Sequence, residues 1–311
     1  MIKKTLYFSN PAYLSLRNAQ MVIKLPEVEK SKALPEQFKK DNEITKPIED
    51  IGLVILDNKQ ITITSGLLEA LLENNCAVIT CDSKSMPVGL FLPLYGNTTQ
   101  NERFRYQLDA SEPLKKQLWQ QTIKAKIYNQ AAVLESCFGD KHKCMTKWAN
   151  DVRSGDPDNL EARAAAYYWK TIFYDIPDFT RDREGVCPNN LLNYGYAILR
   201  AVVARALVSS GLLPTLGIHH HNKYNAYCLA DDIMEPYRPY VDELVFNIVK
   251  DKGNDILLTK DIKAQLLTIP TLEVVVSGKR SPLMIAVGQT TASLFKCFNG
   301  ELRKIAYPEH K

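Results

Sequence analysis

Three short segments of this sequence carry residue types that bind metal ions. A loop, Gly217-Ile218-His219-His220-His221, stands just upstream of an acidic helical segment that holds Asp231, Asp232 and Glu235 and continues into Pro236-Tyr237-Arg238-Pro239. Spacings of three (Asp232, Glu235) and four (Asp231, Glu235) put either pair on one helical face, so two carboxylates are expected to converge there. The histidine loop is placed to fold back over that face. One imidazole with two or more carboxylate oxygens favours Mn²⁺ or Mg²⁺ over a structural zinc. The third segment runs from Asp156 to Trp169, with Glu161 in the first turn of a helix. Small residues one turn on, Ala164 and Ala165, are expected to leave open space above that face. Each feature also has an ordinary reading: a first-turn Glu compensates the helix dipole, and a histidine run is often solvent-exposed. From the residues alone, this is a candidate metal site.

The elements that must position these groups divide the chain near Pro93-Leu94-Tyr95-Gly96-Asn97. Before it, short β-branched or aromatic runs read as strands: Thr5–Phe8, Tyr13–Arg17, Met21–Lys24, Ile51–Leu56, Ile61–Thr64, Ala77–Thr80 and Val88–Leu92. Ser65 is expected to cap a helix over Gly66–Glu73. Residues 26–46 are charged and aperiodic, and are expected to form an exposed loop or hairpin extension. Beyond the boundary, Trp119, Ile123, Ile127, Ala131, Leu134 and Phe138 recur at helical spacing, with Lys115, Lys116, Lys124 and Lys126 at other positions. Further helices are expected over Asn159–Tyr174, Asn189–Ser210, Tyr227–Asp251 and Pro282–Phe298. The expected fold class is α+β: a small, β-rich, sandwich-like N-terminal domain (1–95), then a larger all-α C-terminal domain (96–311).

Composition narrows the classes further. The chain has 311 residues, 45% hydrophobic, with 14 Gly and 16 Pro, which excludes disordered, collagen-like and low-complexity proteins. Its seven cysteines form no CxxC pair, so neither a disulfide framework nor a zinc ribbon is expected, and a reduced cytoplasmic setting is. The cluster from Cys137 to Cys144 reads as a helix end with two half-buried thiols. The first residues lack the apolar core of a signal peptide. The apolar stretch Tyr196–Leu213 is interrupted by Arg200 and Arg205 and reads as a buried helix, not a membrane span. A net charge of +4 is low for a dedicated nucleic-acid binder, but phosphate binding needs a local basic face and not a high total. A basic face on one side of the helical domain is therefore expected if DNA is the ligand.

The acidic and histidine segments resemble the CRISPR-associated integrase of spacer acquisition, the Cas-one family, and most of all its type II branch. The resemblance rests on Asp158-Asn159-Leu160-Glu161-Ala162-Arg163-Ala164-Ala165, Leu192-Asn193-Tyr194-Gly195-Tyr196, Gly217-Ile218-His219-His220-His221-Asn222 and Leu229-Ala230-Asp231-Asp232-Ile233-Met234-Glu235-Pro236-Tyr237-Arg238-Pro239. It runs from the first strands to about Gly300. It implies a catalytic metal triad of Glu161, His220 and Glu235, with Asp232 as a supporting carboxylate or further ligand and Mg²⁺ or Mn²⁺ as cofactor. His220 is the fourth residue of the Gly-x-x-His pattern, with His219 and His221 one position away. The implied reaction joins a 3′-hydroxyl of captured double-stranded DNA to a phosphodiester of the CRISPR repeat, with endonuclease activity on DNA. DNA contacts are expected from Arg163, Lys223, Arg238, Lys279 and Arg280, then from Lys147 and Arg153. Implied partners are a second copy of the chain, a small ferredoxin-like adaptation protein ("Cas-two") and the type II effector nuclease. A non-catalytic DNA-binding scaffold of the same fold is the alternative.

Overall fold

The computed structural model describes residues 3–310, and the chain divides into two compact units, Met1–Gly96 and Asn97–Lys311. The first unit is built from two four-stranded sheets. The strands are β1 (Lys4–Phe8), β2 (Ala12–Arg17), β3 (Gln20–Lys24), β4 (Ile44–Pro47), β5 (Ile51–Leu56), β6 (Ile61–Ile63), β7 (Ala77–Cys81) and β8 (Pro87–Phe91). One sheet has the order β1-β5-β7-β8, the other β4-β3-β2-β6. In the first, β5 pairs in parallel with both β1 and β7 and is buried along most of its length, which suits its unbroken run Ile51-Gly52-Leu53-Val54-Ile55.

Residues 26–46 depart from the expected loop. They form two short helices, α1 (Pro26–Lys30) and α2 (Glu36–Asp41), and then lead into β4. Neither helix buries a residue, so no apolar period marks them in the sequence. The helix α3 (Ser65–Glu73) is capped by Thr64, whose hydroxyl accepts from the Leu67 amide, one residue before the expected Ser65. Leu67 and Leu71 of α3 join Leu14, Met21, Ile51, Val54 and Val78 in one core shared by both sheets.

The second unit is mostly helical. Its helices are α4 (Gln100–Leu108), α5 (Glu112–Phe138), α6 (Lys143–Asp151), α7 (Leu160–Ile172), α8 (Asn189–Ser209), α9 (Cys228–Met234), α10 (Arg238–Lys252), α11 (Lys260–Leu266) and α12 (Leu283–Phe298). Helix α8 is long and apolar enough to span a membrane, yet 72% of its most apolar stretch is buried in this unit, where it packs against α9, α10 and α12. The unit is not purely helical, because β9 (Glu273–Val276), β10 (Lys279–Pro282) and β11 (Pro308–Glu309) form a small antiparallel sheet ordered β10-β9-β11. These strands have two to four residues each, too few to register as an alternating pattern. Among the described residues no disulfide joins the cysteines, and Cys137 and Cys144 are half-buried near the end of α5 and the start of α6.

The expected helix over Tyr227–Asp251 is broken. A single 3₁₀ turn, Glu235–Tyr237, separates α9 from α10. Pro236 and Pro239 explain the break, since neither can donate the amide that a continuous helix requires. This turn and helices α5 and α7 position the acidic residues.

Candidate active site

Helix α7 presents Glu161. The amides of Leu160 and Glu161 donate to the two carboxylate oxygens of Asp156, at 3.0 and 2.9 Å. Asp156 thus does the N-terminal capping, and the Glu161 side chain is released from the role of compensating the helix dipole. Glu161 turns instead to Lys126 on α5, whose ammonium donates to its Oε1 at 2.7 Å. Ala164, expected below open space, is fully buried, so its small side chain is used in packing.

Glu235 opens the 3₁₀ turn and is 3% exposed. Its Oε2 lies 2.7 Å from the same Lys126 ammonium, and its Oε1 lies 3.0 Å from Arg238 Nη2. Burial alone would push this carboxyl up; Arg238 first and Lys126 second outweigh it and hold Glu235 below the usual carboxylate range. The turn itself is tied to α5, because the Asn129 amide donates to the Pro236 carbonyl at 2.7 Å and to that of Pro308 at 3.0 Å. Thus α5, α7 and the α9–α10 junction bring two carboxylates onto one cation.

The histidine loop is fixed by Asp232, which is fully buried. Its Oδ2 accepts from the amides of Ile218 and His219 at 2.7 and 3.0 Å, and its Oδ1 from the amide of His220 at 3.3 Å and from His220 Nδ1 at 2.5 Å. With Nδ1 committed as donor, the unprotonated nitrogen of a neutral His220 is Nε2. That bond to Asp232 is the main cause holding the His220 pKa above 6.5, against an opposing effect of burial, and the charges of Glu235 and Glu161 add to it. His219 is placed differently: it stacks on Trp119 of α5 with ring centroids 4.1 Å apart and planes at 2°, and burial lowers its pKa. Trp119 also meets the edge of His220, at 5.5 Å and 87°. Gly217 is required where the loop begins, since a Cβ there would lie 2.4 Å from the His220 carbonyl oxygen and 2.7 Å from Asp232 Oδ2.

The three neighbouring acids therefore point to three different partners. Asp231 takes Arg200 in a two-pronged ion pair at 2.7 and 3.0 Å, Asp232 takes the histidine loop, and Glu235 takes Lys126. Asp232 supports the loop with both of its oxygens, and the convergence expected for Asp232 with Glu235 is replaced by one of Glu161 with Glu235. Among the described residues no group of three or more His, Cys, Asp or Glu side chains is drawn close enough to hold a metal ion. The donor set nonetheless suits a hard divalent cation: two carboxylates meet at a point where a positive charge already sits, and Glu235 Oε2 is buried and accepts no hydrogen bond of good geometry.

Of the basic residues expected to touch DNA, Arg163 and Lys223 are exposed, and Lys223 lines a cleft of about 360 Å³ with His220 and His221. Arg238 is committed to Glu235 and lies over the Tyr196 ring at 4.9 Å. Lys279 and Arg280 stand on β10, where Arg280 pairs with Glu273 at 3.0 Å. Arg153 pairs with Asp158, and Lys147 is exposed on α6. A further basic surface lies elsewhere. Lys124, Lys141, His142, Lys143, Arg303 and Lys304 line a groove of about 990 Å³ between α5 and the C-terminal segment, with Tyr128, Ala125 and Ala132 also in its wall.

Sequence reasoning missed Lys126 and Trp119 as parts of the site. A signal was present for the lysine, which falls three residues after Ile123 and four before Gln130 on the buried stripe of α5.

A family model described as "CRISPR associated protein Cas1" matches residues 6–268. The chain is 35% identical over 294 residues, 94% of its own length and 91% of the relative's, to the CRISPR-associated endonuclease Cas1 of Neisseria meningitidis serogroup C (strain 8013). Among solved structures, a casposase bound to integration product is similar with a TM-score of 0.77 at 20% identity, covering 100% of this chain and 95% of that one. A chain of a Cas6-RT-Cas1–Cas2 complex is similar with a TM-score of 0.73 at 18% identity, covering 99% of this chain and 36% of that longer one. With that match across most of its length, the chain belongs to the CRISPR-associated Cas1 family.

Proposed function

We propose that this chain is the metal-dependent DNA integrase of CRISPR adaptation, joining 3′-hydroxyl ends of captured duplex DNA to the CRISPR repeat. The observation that carries this reading is the meeting of Glu161 and Glu235 on one cation, beside a histidine whose Nδ1 is anchored by a buried aspartate. The "endonuclease" relative and the casposase fold support it. In the reaction, the 3′-oxygen of the captured strand forms a new bond to phosphorus as the bond to the repeat's own 3′-oxygen breaks. The proton lost by the attacking hydroxyl is balanced by the one the leaving oxygen gains.

No protein nucleophile is needed for this exchange. Glu161, Glu235 and His220 Nε2 would hold Mg²⁺ or Mn²⁺, which supplies positive charge to the scissile phosphate and to the oxygens that attack and leave. Asp232 keeps the imidazole in the tautomer that presents Nε2, and Trp119 and Gly217 fix the loop that carries it. Arg163, exposed on α7, and Lys223, exposed in the cleft beside His220, are cations available to the DNA backbone.

This reading extends to assembly and location. The β-rich unit (1–95) mediates dimerisation and partner contacts, and a small Cas2 partner joins two copies, in keeping with the Cas1–Cas2 complex that shares the fold. The type II effector nuclease is a further partner, and the setting is cytoplasmic. A DNA-binding scaffold is the second reading, favoured by the Lys126 ammonium already lying 2.7 Å from both carboxylates. Strand transfer into repeat-containing DNA, run with Cas2 in EDTA and then with Mn²⁺ added back, separates the two. The integrase reading expects product to vanish and return; the scaffold reading expects none in either condition.

A further inference from the structure

Lys126 is buried on α5, its side chain 11% exposed, with its ammonium 2.7 Å from Glu161 Oε1 and 2.7 Å from Glu235 Oε2. Those are the two anionic donors of the proposed metal site, so the charge that a divalent ion would supply between them is already in place. With His220 neutral, the carboxylates of Glu161, Asp232 and Glu235 face the cations Lys126 and Arg238, leaving one uncompensated negative charge. A divalent ion added to this arrangement reverses the balance to one positive charge. Beside the buried Lys126, Glu235 and Asp232 that excess is costly. One phosphodiester group cancels it.

We infer that Lys126 is an internal counter-cation that competes with the divalent metal for Glu161 and Glu235 and so couples metal loading to the arrival of a DNA phosphodiester. The inference rests on the metal-dependent reading above and adds to it an order of assembly. Metal binds weakly to the free protein and firmly once DNA is present. By linkage, metal tightens DNA binding by the same factor. Removing the ammonium leaves two uncompensated negative charges, which a divalent ion neutralises without help from DNA.

Calorimetric Mn²⁺ titration of the full chain tests this, with the native protein, Lys126→Met and Lys126→Arg each measured with and without a DNA duplex. For the native chain, DNA is expected to tighten Mn²⁺ binding by about tenfold or more, within the usual range of coupling between sites. Lys126→Met is expected to bind Mn²⁺ about tenfold tighter than native in the absence of DNA and to lose most of the DNA effect. Lys126→Arg, which keeps the charge, is expected to retain the coupling. Circular dichroism reports whether each variant folds, and Lys126→Gln replaces the Met variant if that one does not. Mn²⁺ affinity in the neutral variant equal to or weaker than native, without DNA, overturns the inference. Absence of Mn²⁺ binding in native and variant alike, with DNA present, instead overturns the metal-dependent reading on which it rests.

Discussion

Asp232 shows how much of this site one residue can organise. A carboxylate buried without partners would be costly, yet here both oxygens accept hydrogen bonds from three amides and an imidazole of the histidine loop. Asp242 is a contrasting case nearby in the chain. It is buried on α10 between the hydroxyls of Tyr168, at 3.1 Å, and Tyr196, and it has no ion-pair partner among the described residues. Burial pushes its pKa to about 7, against the opposing hydrogen bonds from Tyr196 and Tyr168. Because the folded-state value lies above the ordinary aspartate value of 3.8, the unfolded chain releases this proton first as pH rises. Asp242 therefore costs stability progressively between about pH 4 and pH 7, and the cost is constant above that. Asp242→Asn is expected to melt at a higher temperature than native at about pH 8, with the gap shrinking toward about pH 5. A gap that does not change with pH would count against this account of Asp242.

At the scale of elements, the site is a meeting of helix ends and one long helix side. The sequence spacing made Glu161 legible as a first-turn residue, and the histidine loop and acidic segment were legible as a set through their family resemblance. What spacing could not give was direction. Asp231, Asp232 and Glu235 share a short stretch, but Pro236 and Pro239 interrupt the helix, and each acid then follows a different partner. Lys126 stayed hidden for a similar reason: a lysine on a long amphipathic helix reads as surface unless its position on the buried stripe is taken literally. Asp156 is the element-scale support for Glu161, because its carboxylate caps the first two amides of α7. Asp156→Ala is expected to lower stability by about 1 kcal/mol. It should also reduce strand transfer more than DNA affinity, since Glu161 then frays with the helix end. Unchanged strand transfer at equal DNA affinity would show that the cap does not position Glu161.

For the molecule as a whole, the fold class followed from the switch between short strand-like runs and long helical periods. The elements not expected were α1, α2, α4, α6 and α11 and the strands β4, β9, β10 and β11; α1 and α2 bury no residue, and none of these elements exceeds nine residues, too short a run to fix a period. Net charge was the weaker guide. A total of +4 conceals a groove in the helical unit where Lys124, Lys141, Lys143, Arg303 and Lys304 face only Glu135 and Glu309 as acids. Replacing Lys143 and Lys304 together by Gln is expected to weaken DNA binding, and to flatten its salt dependence by about 0.9 in slope for each phosphate no longer neutralised. A salt slope equal to native would place DNA elsewhere. In the proposed reaction Glu161 and His220 act in the chemistry and not in the grip on DNA. Its most direct test is strand transfer into a repeat-containing plasmid by Glu161→Ala and His220→Ala, with DNA affinity measured in parallel. Loss of product at near-native affinity is the predicted result; product formed at the native rate by both variants would contradict the account.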